Sequence, residues 1–327
     1  MVGAATERSD RPATKADREE AKMRTYLDCM PCFAQQALDA VSMVTGDPGA
    51  RLRVMRRVLR AMLDFPLDSS PLRMAAQIHG LIRQETGDPD PYREVKEQAN
   101  AFALGMLPRL VERARKSSDP FETALRMAIA GNIMDWGARH HIQLSERLVG
   151  ETIEQTSRAP IEGCSAEGLR QELQAAGPVL YLADNAGEIV FDSLFISFMP
   201  CEGITVAVKG GPTINDATMA DAEQVGLGTQ VRVVSTGSDM PGTVLEDCSD
   251  EFRQEFASAD LIIAKGQANY EALSEQGGPI YFLLRAKCPV IARDIGCAVG
   301  DTLLLRPRTG ASAPAAPAKG VGQHARL

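Results

Sequence analysis

The chain contains no apolar run approaching the roughly 20 residues that cross a bilayer, so no segment reads as membrane-spanning. Basic charge is not in excess either: 35 Lys and Arg stand against 43 Asp and Glu, a net charge of −8. A broad nucleic-acid surface needs clustered cations to neutralise phosphates, and this balance argues against one. Histidine is scarce, at 4 residues, and no Ser/His/Asp spacing supports nucleophilic catalysis. His79 falls on an apolar helix face, and His140 and His141 at a helix end, so these read as structural. The 7 cysteines are odd in number and too sparse for a disulfide framework, which points to reduced thiols. Neither G-x-x-x-x-G-K-[ST] nor a G-x-G-x-x-G following a strand is present. The opening stretch, MVGAATERSDRPATKADREEAKMR, lacks the apolar core of an export signal. These absences lead us to expect a cytoplasmic protein without nucleic-acid or membrane partners.

What is present is ordinary globular composition: 327 residues, 44% hydrophobic and 24% charged. That length builds one large domain or two modest ones. The first half is helical in texture. Phe33, Ala37, Val41 and Val44 share one side of a helix, as do Leu52, Met55, Leu59 and Met62. Phe121, Leu125, Ala128, Ile129 and Trp136 repeat the pattern. Prolines fall between these stretches, and the periodicity predicts roughly five to seven helices between residues 28 and 158. From Gly177 the texture changes. PVLYLAD, GITVAVKG, TQVRVVSTG, ADLIIAKG and PIYFLLRAKCPVIA are short, continuously apolar and bounded by breakers. Such runs suit strands buried on both faces. Helix-like segments separate them, so the fold class is α/β. We expect a central, mostly parallel sheet with flanking helices in Rossmann-like layers, plus an all-helical N-terminal region. The expected boundaries are a disordered tail over 1–24, helices over 25–165, the α/β domain over 166–305, and an Ala/Pro/Gly-rich tail over 306–327.

Open α/β sheets bind ligands beyond the C-terminal ends of their strands. Four such ends carry polar residues here. In LADNAGEIVFD, Asp184 and the Asn185 carbonyl are hard oxygen donors that suit a divalent cation. Glu188 and Asp192 lie four apart, on one helix face. The alternative is that Asp184 or Asn185 is a helix cap with Glu188 as its partner. In KGGPTINDATMADA, Lys209 ends a strand, and Asp216 is the candidate third metal ligand or, again, a cap. In AKGQANYEAL, Lys265 and Gly266 precede a helix start whose N–H groups, with an adjacent ammonium, make an anion site. Taken alone, a Lys-Gly pair after a strand is a weak signal and is usually just a turn. Asn132 and Asp135 of GNIMDWG sit three apart on one face, either a weak site candidate or a buried polar pair. Cys29 and Cys32 of CMPC have zinc or redox spacing, and Cys288 and Cys297 can join them in space; the alternative is buried thiols packing a helix start.

Taken in order, DCMPCFAQQAL, AIAGNIMDWG, LADNAGEIVFD, VAVKGGPTINDAT, AKGQANYEAL and FLLRAKCPVIA resemble the damage-control phosphatase family, long filed as domain of unknown function 89. The likeness runs from Tyr26 to Leu305 and is strongest to the prokaryotic branch with the N-terminal Cys pair. It implies a divalent-metal-dependent phosphatase acting on small phosphorylated metabolites, such as sugar phosphates or damaged phosphometabolites. It implies metal ligation by Asp184, Asn185 and Asp216, and phosphate binding by Lys265, Gly266 and Asn269. On this reading Glu188 orients the attacking water or supports the ligands, and Lys209 assists. Oxygen donors of this kind accept Mg²⁺, Mn²⁺, Co²⁺ or Ni²⁺. The competing function is a non-catalytic sugar-phosphate or nucleotide binding module.

Overall fold

The computed structural model describes residues 23–134 and 145–307. Asp135, Trp136, His140, His141 and nearly all of both expected tails lie outside the described residues. Six α-helices come first: α1 Cys29–Val44, α2 Pro48–Leu63, α3 Pro71–Thr86, α4 Arg93–Lys116, α5 Pro120–Ala130 and α6 Glu146–Arg158. A 3₁₀ turn over Gly131–Met134 extends α5. Local chemistry starts these helices. Asp47, Ser70 and Asp119 each precede a proline and accept a hydrogen bond from a first-turn N–H. Proline at the first position loses nothing, because its missing N–H would lack a helical partner anyway.

The α/β part follows as β1 Ile161–Gly163, α7 Ala166–Ala175, β2 Val179–Leu182, α8 Glu188–Ile196, β3 Ile204–Val208, α9 Met219–Gln224 and β4 Arg232–Ser235. It finishes with α10 Asp250–Ser258, β5 Leu261–Lys265, α11 Gly266–Leu273, β6 Ile280–Arg285, α12 Pro289–Ile295 and β7 Thr302–Leu305. The sheet order is β1-β7-β6-β5-β2-β3-β4. All pairings are parallel except β6 with β7. From β2 the chain winds outward through β3 and β4, then crosses to β5 on the other side. The crevice beside β2 is therefore a topological switch point, the usual ligand position in such sheets.

Three differences from the sequence reading stand out. Strand β1 lies inside the stretch expected to be helical and pairs with β7. The PVIA tetrapeptide opens α12 instead of continuing a strand. Strand β4 lies at the sheet edge, half-exposed, and is not buried on both faces.

Strand residues alternate between two cores. Val179 and Tyr181 join one cluster with α4 to α8, while Leu180 and Leu182 join another with α10 to α12. The helical half therefore divides. Helices α4 to α6 cover one face of the sheet, whereas α1 to α3 form a third cluster around Phe33, Val54, Met74 and Ile78. Phe191 on α8 is fully buried, and a Cβ on Gly131 would come within 2.8 Å of it. The covering layer thus has no slack at that contact. Phe191→Ala is expected to cost about 3–5 kcal/mol of stability through lost burial plus a cavity. Urea denaturation of the two proteins measures the difference.

Candidate active site

Strand β2 ends at Leu182, and Asp184 and Asn185 follow at the switch point. The segment Thr213–Ala217 after β3 folds back beside them. Ala217 N–H donates to the Asp184 carbonyl at 2.8 Å, and Ala186 N–H donates to the Asn215 carbonyl at 2.9 Å. Asn185 and Asp216 form an isolated antiparallel bridge. Backbone bonds between two loops thus bring Asp184, Asn185 and Asp216 together, and all three side chains line one cavity. The adjoining turn is strained. Ile214 has φ +42°, a conformation costing on the order of 1–3 kcal/mol for a non-glycine residue.

Two amides hold two carboxylates in place. Asn185 Nδ2 donates to Asp184 Oδ2 at 2.7 Å and to Glu188 Oε2 at 2.8 Å. Asn132 Nδ2 donates to the same two atoms at 3.2 and 2.9 Å. Glu188 Oε1 in turn accepts from Lys265 Nζ at 2.8 Å. The same ammonium donates to Asp192 and to the Ala128 carbonyl, the latter at 3.0 Å. Tyr181 completes the chain, its hydroxyl donating to Asp192 at 2.8 Å. Glu188 and Lys265 are both 0% exposed. Burial alone pulls the Lys265 pKa down, but Asp192 and Glu188 outweigh it and raise it. Burial pushes the Asp192 carboxyl up to about 6 against the pull of Lys265, with Glu188 adding to the rise.

These partners change two expected roles. Lys265 faces α5 and α8 and has its donors engaged there, so it does not reach the cleft to hold phosphate. Asn269 is likewise buried: its amide donates to the Lys265 and Ala183 carbonyls, and its oxygen accepts from Thr243. Gly266 has a steric role. Its φ is +77°, and a Cβ there would overlap the Asp184 carboxylate. Lys209 is buried, donates to the Gly242 carbonyl and lies 3.6 Å from Asp216 Oδ2. Asp192 belongs to the network but was not singled out as a site residue; its i,i+4 relation to Glu188 was the available signal. Asp221 caps α9 and meets Asn100 and Lys96, a structural role.

The cavity has a volume of about 300 Å³. Its floor is the Asp184–Asn185–Asp216 edge. Cys29, Cys32 and Phe33 of α1 wall one side, and Gln267 and Glu271 of α11 the other. Burial pushes the Glu271 carboxyl up to about 7, with the Gln267 amide opposing and Asp294 adding to the rise. Cys288 also lines the cavity, whereas Cys297 does not join that wall. All 7 cysteines are free thiols. Cys29 is half-buried and Cys32 exposed, so the pair does not simply pack a helix start. No cluster of three or more His, Cys, Asp or Glu placed to hold a metal occurs among the described residues. His79 packs against Tyr92, with ring centroids 5.6 Å apart.

Fold and site together define a layered α/β protein with a carboxylate–amide site at the switch point of its sheet. Residues 25–303 match the damage-control phosphatase ARMT1-like domain. A damage-control phosphatase of Archaeoglobus fulgidus is 36% identical over 286 residues, covering 84% of this chain and 96% of its own. An uncharacterized protein of Methanocaldococcus jannaschii is 35% identical over 294 residues, covering 85% of this chain and 94% of its own. The crystal structure of a DUF89 family protein from Pyrococcus horikoshii superposes with a TM-score of 0.79 at 32% identity, covering 88% of this chain and 100% of that one. The chain belongs to the damage-control phosphatase ARMT1-like domain family. No helix among the described residues is long and apolar enough to cross a membrane.

Two expectations come from the buried network. Lys265→Met strands two interior carboxylates and should destabilise the protein by about 3–5 kcal/mol, read by chemical denaturation. Asp192 also has a pH signature. Its folded value, about 6, lies above its ordinary 3.8, so the native state binds the extra proton between those limits. Its contribution to stability is full below the lower limit and is lost as pH rises through the upper one. Denaturation midpoints measured across that window should show this decline in the wild type, and Asp192→Asn should remove it.

Proposed function

We propose that the protein is a divalent-metal-dependent phosphatase acting on small phosphomonoesters. The observation that carries this reading is the lacing of two loops that sets Asp184, Asn185 and Asp216 on the floor of one cavity. Their donor set fits a hard cation. All three offer oxygen, and the amide of Asn185 is engaged by Asp184 and Glu188, which leaves its carbonyl oxygen as the available ligand atom. Mg²⁺, Mn²⁺, Co²⁺ and Ni²⁺ all accept such donors. When bound, the ion supplies Lewis-acid stabilisation of the phosphoryl group and lowers the pKa of water.

The chain's own residues do the rest. Asn132 and Asn185 fix one oxygen of Asp184 and so set the orientation of the other. Lys209 sits against Asp216 and limits its rotation. Glu188 is enclosed and acts behind the ligands, as a support rather than as a group touching the ester. The first N–H groups of α11, which begins at Gly266 beside Asp184, supply positive potential for the equatorial phosphoryl oxygens. Lys265 contributes indirectly, by holding Glu188 in place. The name of the Archaeoglobus fulgidus relative, a damage-control phosphatase, supports hydrolysis over mere binding.

Asp184→Asn and Asp216→Asn should each weaken Mn²⁺ binding at least about tenfold by calorimetry, since each removes a charged oxygen ligand. Each should also abolish manganese-stimulated hydrolysis of p-nitrophenyl phosphate, with the circular dichroism spectrum unchanged. Wild-type turnover in both variants would end the ligand assignment. Tight phosphate-ester binding by the wild type, indifferent to chelator and without hydrolysis, would replace the enzyme with a binding module.

A further inference from the structure

Breaking a phosphomonoester leaves a basic alkoxide unless a proton reaches the leaving oxygen as the bond breaks. The buried network has none to deliver there. Lys265 holds Glu188 and Asp192 in the layer behind the ligands, and Lys209 donates to the Gly242 carbonyl beside Asp216. A donor for the leaving group must therefore come from the cavity walls. Asp28, on the α1 side, is exposed and pairs with Arg293 at 3.2 Å. Burial raises the Cys29 thiol above its ordinary range, with Glu271 adding to the rise, which makes that thiol a weaker acid still. The carboxyl of Glu271 remains.

Glu271 is half-buried and lines the same cavity as Asp184 and Asp216. Its helix, α11, begins at Gly266 against the Asp184 carboxylate, and at 1.5 Å of rise per residue Glu271 stands about 7.5 Å further along the axis. Gln267 shares its helix face, one turn earlier. The Gln267 amide donates to Glu271 Oε1 at 2.9 Å, and the Gln267 oxygen accepts from the Lys287 backbone N–H at 3.2 Å. Reversing the amide would break both bonds, so Oε1 stays an acceptor and a carboxyl proton belongs on Oε2. The titratable groups around the carboxyl are Asp294 on α12, Asp28, Cys29 and Cys32 at the start of α1, and Lys287 and Cys288 ahead of α12. Burial outweighs the Gln267 amide, Asp294 adds to the rise, and the carboxyl keeps its proton up to about 7.

Resting on the phosphatase reading, we propose that Glu271 is a catalytic residue, the general acid that protonates the leaving alcohol oxygen from Oε2. Water forms the new bond to phosphorus as the ester P–O bond breaks. The electron pair of that bond goes to the alcohol oxygen, which takes the Glu271 proton. The proton released by the attacking water returns through solvent to the Glu271 carboxylate, so alcohol and inorganic phosphate leave and the acid is restored. Esters of basic alcohols depend on this proton, whereas esters that release a stable anion do not.

The test compares glycerol 2-phosphate, phenyl phosphate and 4-nitrophenyl phosphate with the full chain and Mn²⁺. Glu271→Gln should lower kcat about a hundredfold for glycerol 2-phosphate and less for phenyl phosphate, but no more than about twofold for 4-nitrophenyl phosphate. Glu271→Asp keeps an acid at shorter reach and should recover part of the loss, which guards against a folding defect in the Gln variant. The protonated form is the working one, so the ratio of wild-type to Gln-variant rates on glycerol 2-phosphate should fall as pH rises through about 7. Infrared spectra of the metal-free chain give a readout apart from turnover. The wild type should lose a protonated-carboxyl band through about 7, and Glu271→Gln should lack it. Manganese affinity by calorimetry should be unchanged in both variants. Equal losses on all three esters, a Glu271 carboxyl that titrates at its ordinary 4.5, or lost manganese affinity overturns the proposal. Wild-type protein that hydrolyses none of the esters sinks the phosphatase reading and the acid with it; hydrolysis with equal losses sinks the acid alone.

Discussion

One enclosed ammonium organises this molecule. Lys265 ends the strand beside β2 and reaches into the layer between the sheet and α5 and α8, where water is excluded. A charge in that position must find partners or remain strongly unfavourable. It finds three, from α5 and from two successive turns of α8. This requirement fixes how α8 sits on the sheet, and α8 begins four residues after Asp184. The orientation of Glu188 follows from Lys265, the clamp by Asn132 and Asn185 follows from Glu188, and the orientation of the Asp184 carboxylate follows from the clamp. The geometry of the cleft therefore depends on a charge that the cleft never touches.

Much of this could be read from the residues alone, for identifiable reasons. Strands β2, β3, β5 and β6 are apolar without interruption because helices cover both faces, and that texture is distinctive. Strand β1, at three residues with a half-buried and exposed pattern, is too short to show one. The helix α12 was misread because VIA after a proline is as apolar as a strand; the proline was the start signal. At the site, the placing of Asp184, Asn185 and Asp216 at one edge follows from their positions after buried strands, whereas their meeting in one cavity comes from backbone bonds between two loops. The direction of Lys265 was harder. A residue at a strand end points to either layer, and only alternation from Ile263 indicates which. The contact of Asn132 with Asp184 and Glu188 has no local signature, because the approach of α5 to α8 is a tertiary fact. The backbone of Ile214 has none either, since nothing in TINDAT announces a left-handed isoleucine.

Glycine marks two close approaches around the site. Gly266 lets α11 begin against the Asp184 carboxylate, and Gly131 lets the end of α5 lie on Phe191. Both are contacts where one methyl group would separate elements that must touch.

The cavity is walled on one side by helices that have their own hydrophobic cluster and on the other by helices that belong to the sheet. Its carboxylate–amide floor comes from the loops that follow β2 and β3. Substitutions in α1 or α3 can therefore reshape the mouth while the carboxylate–amide edge keeps its geometry. Such a division separates the shape of the opening from the geometry of the floor, so the two can change independently.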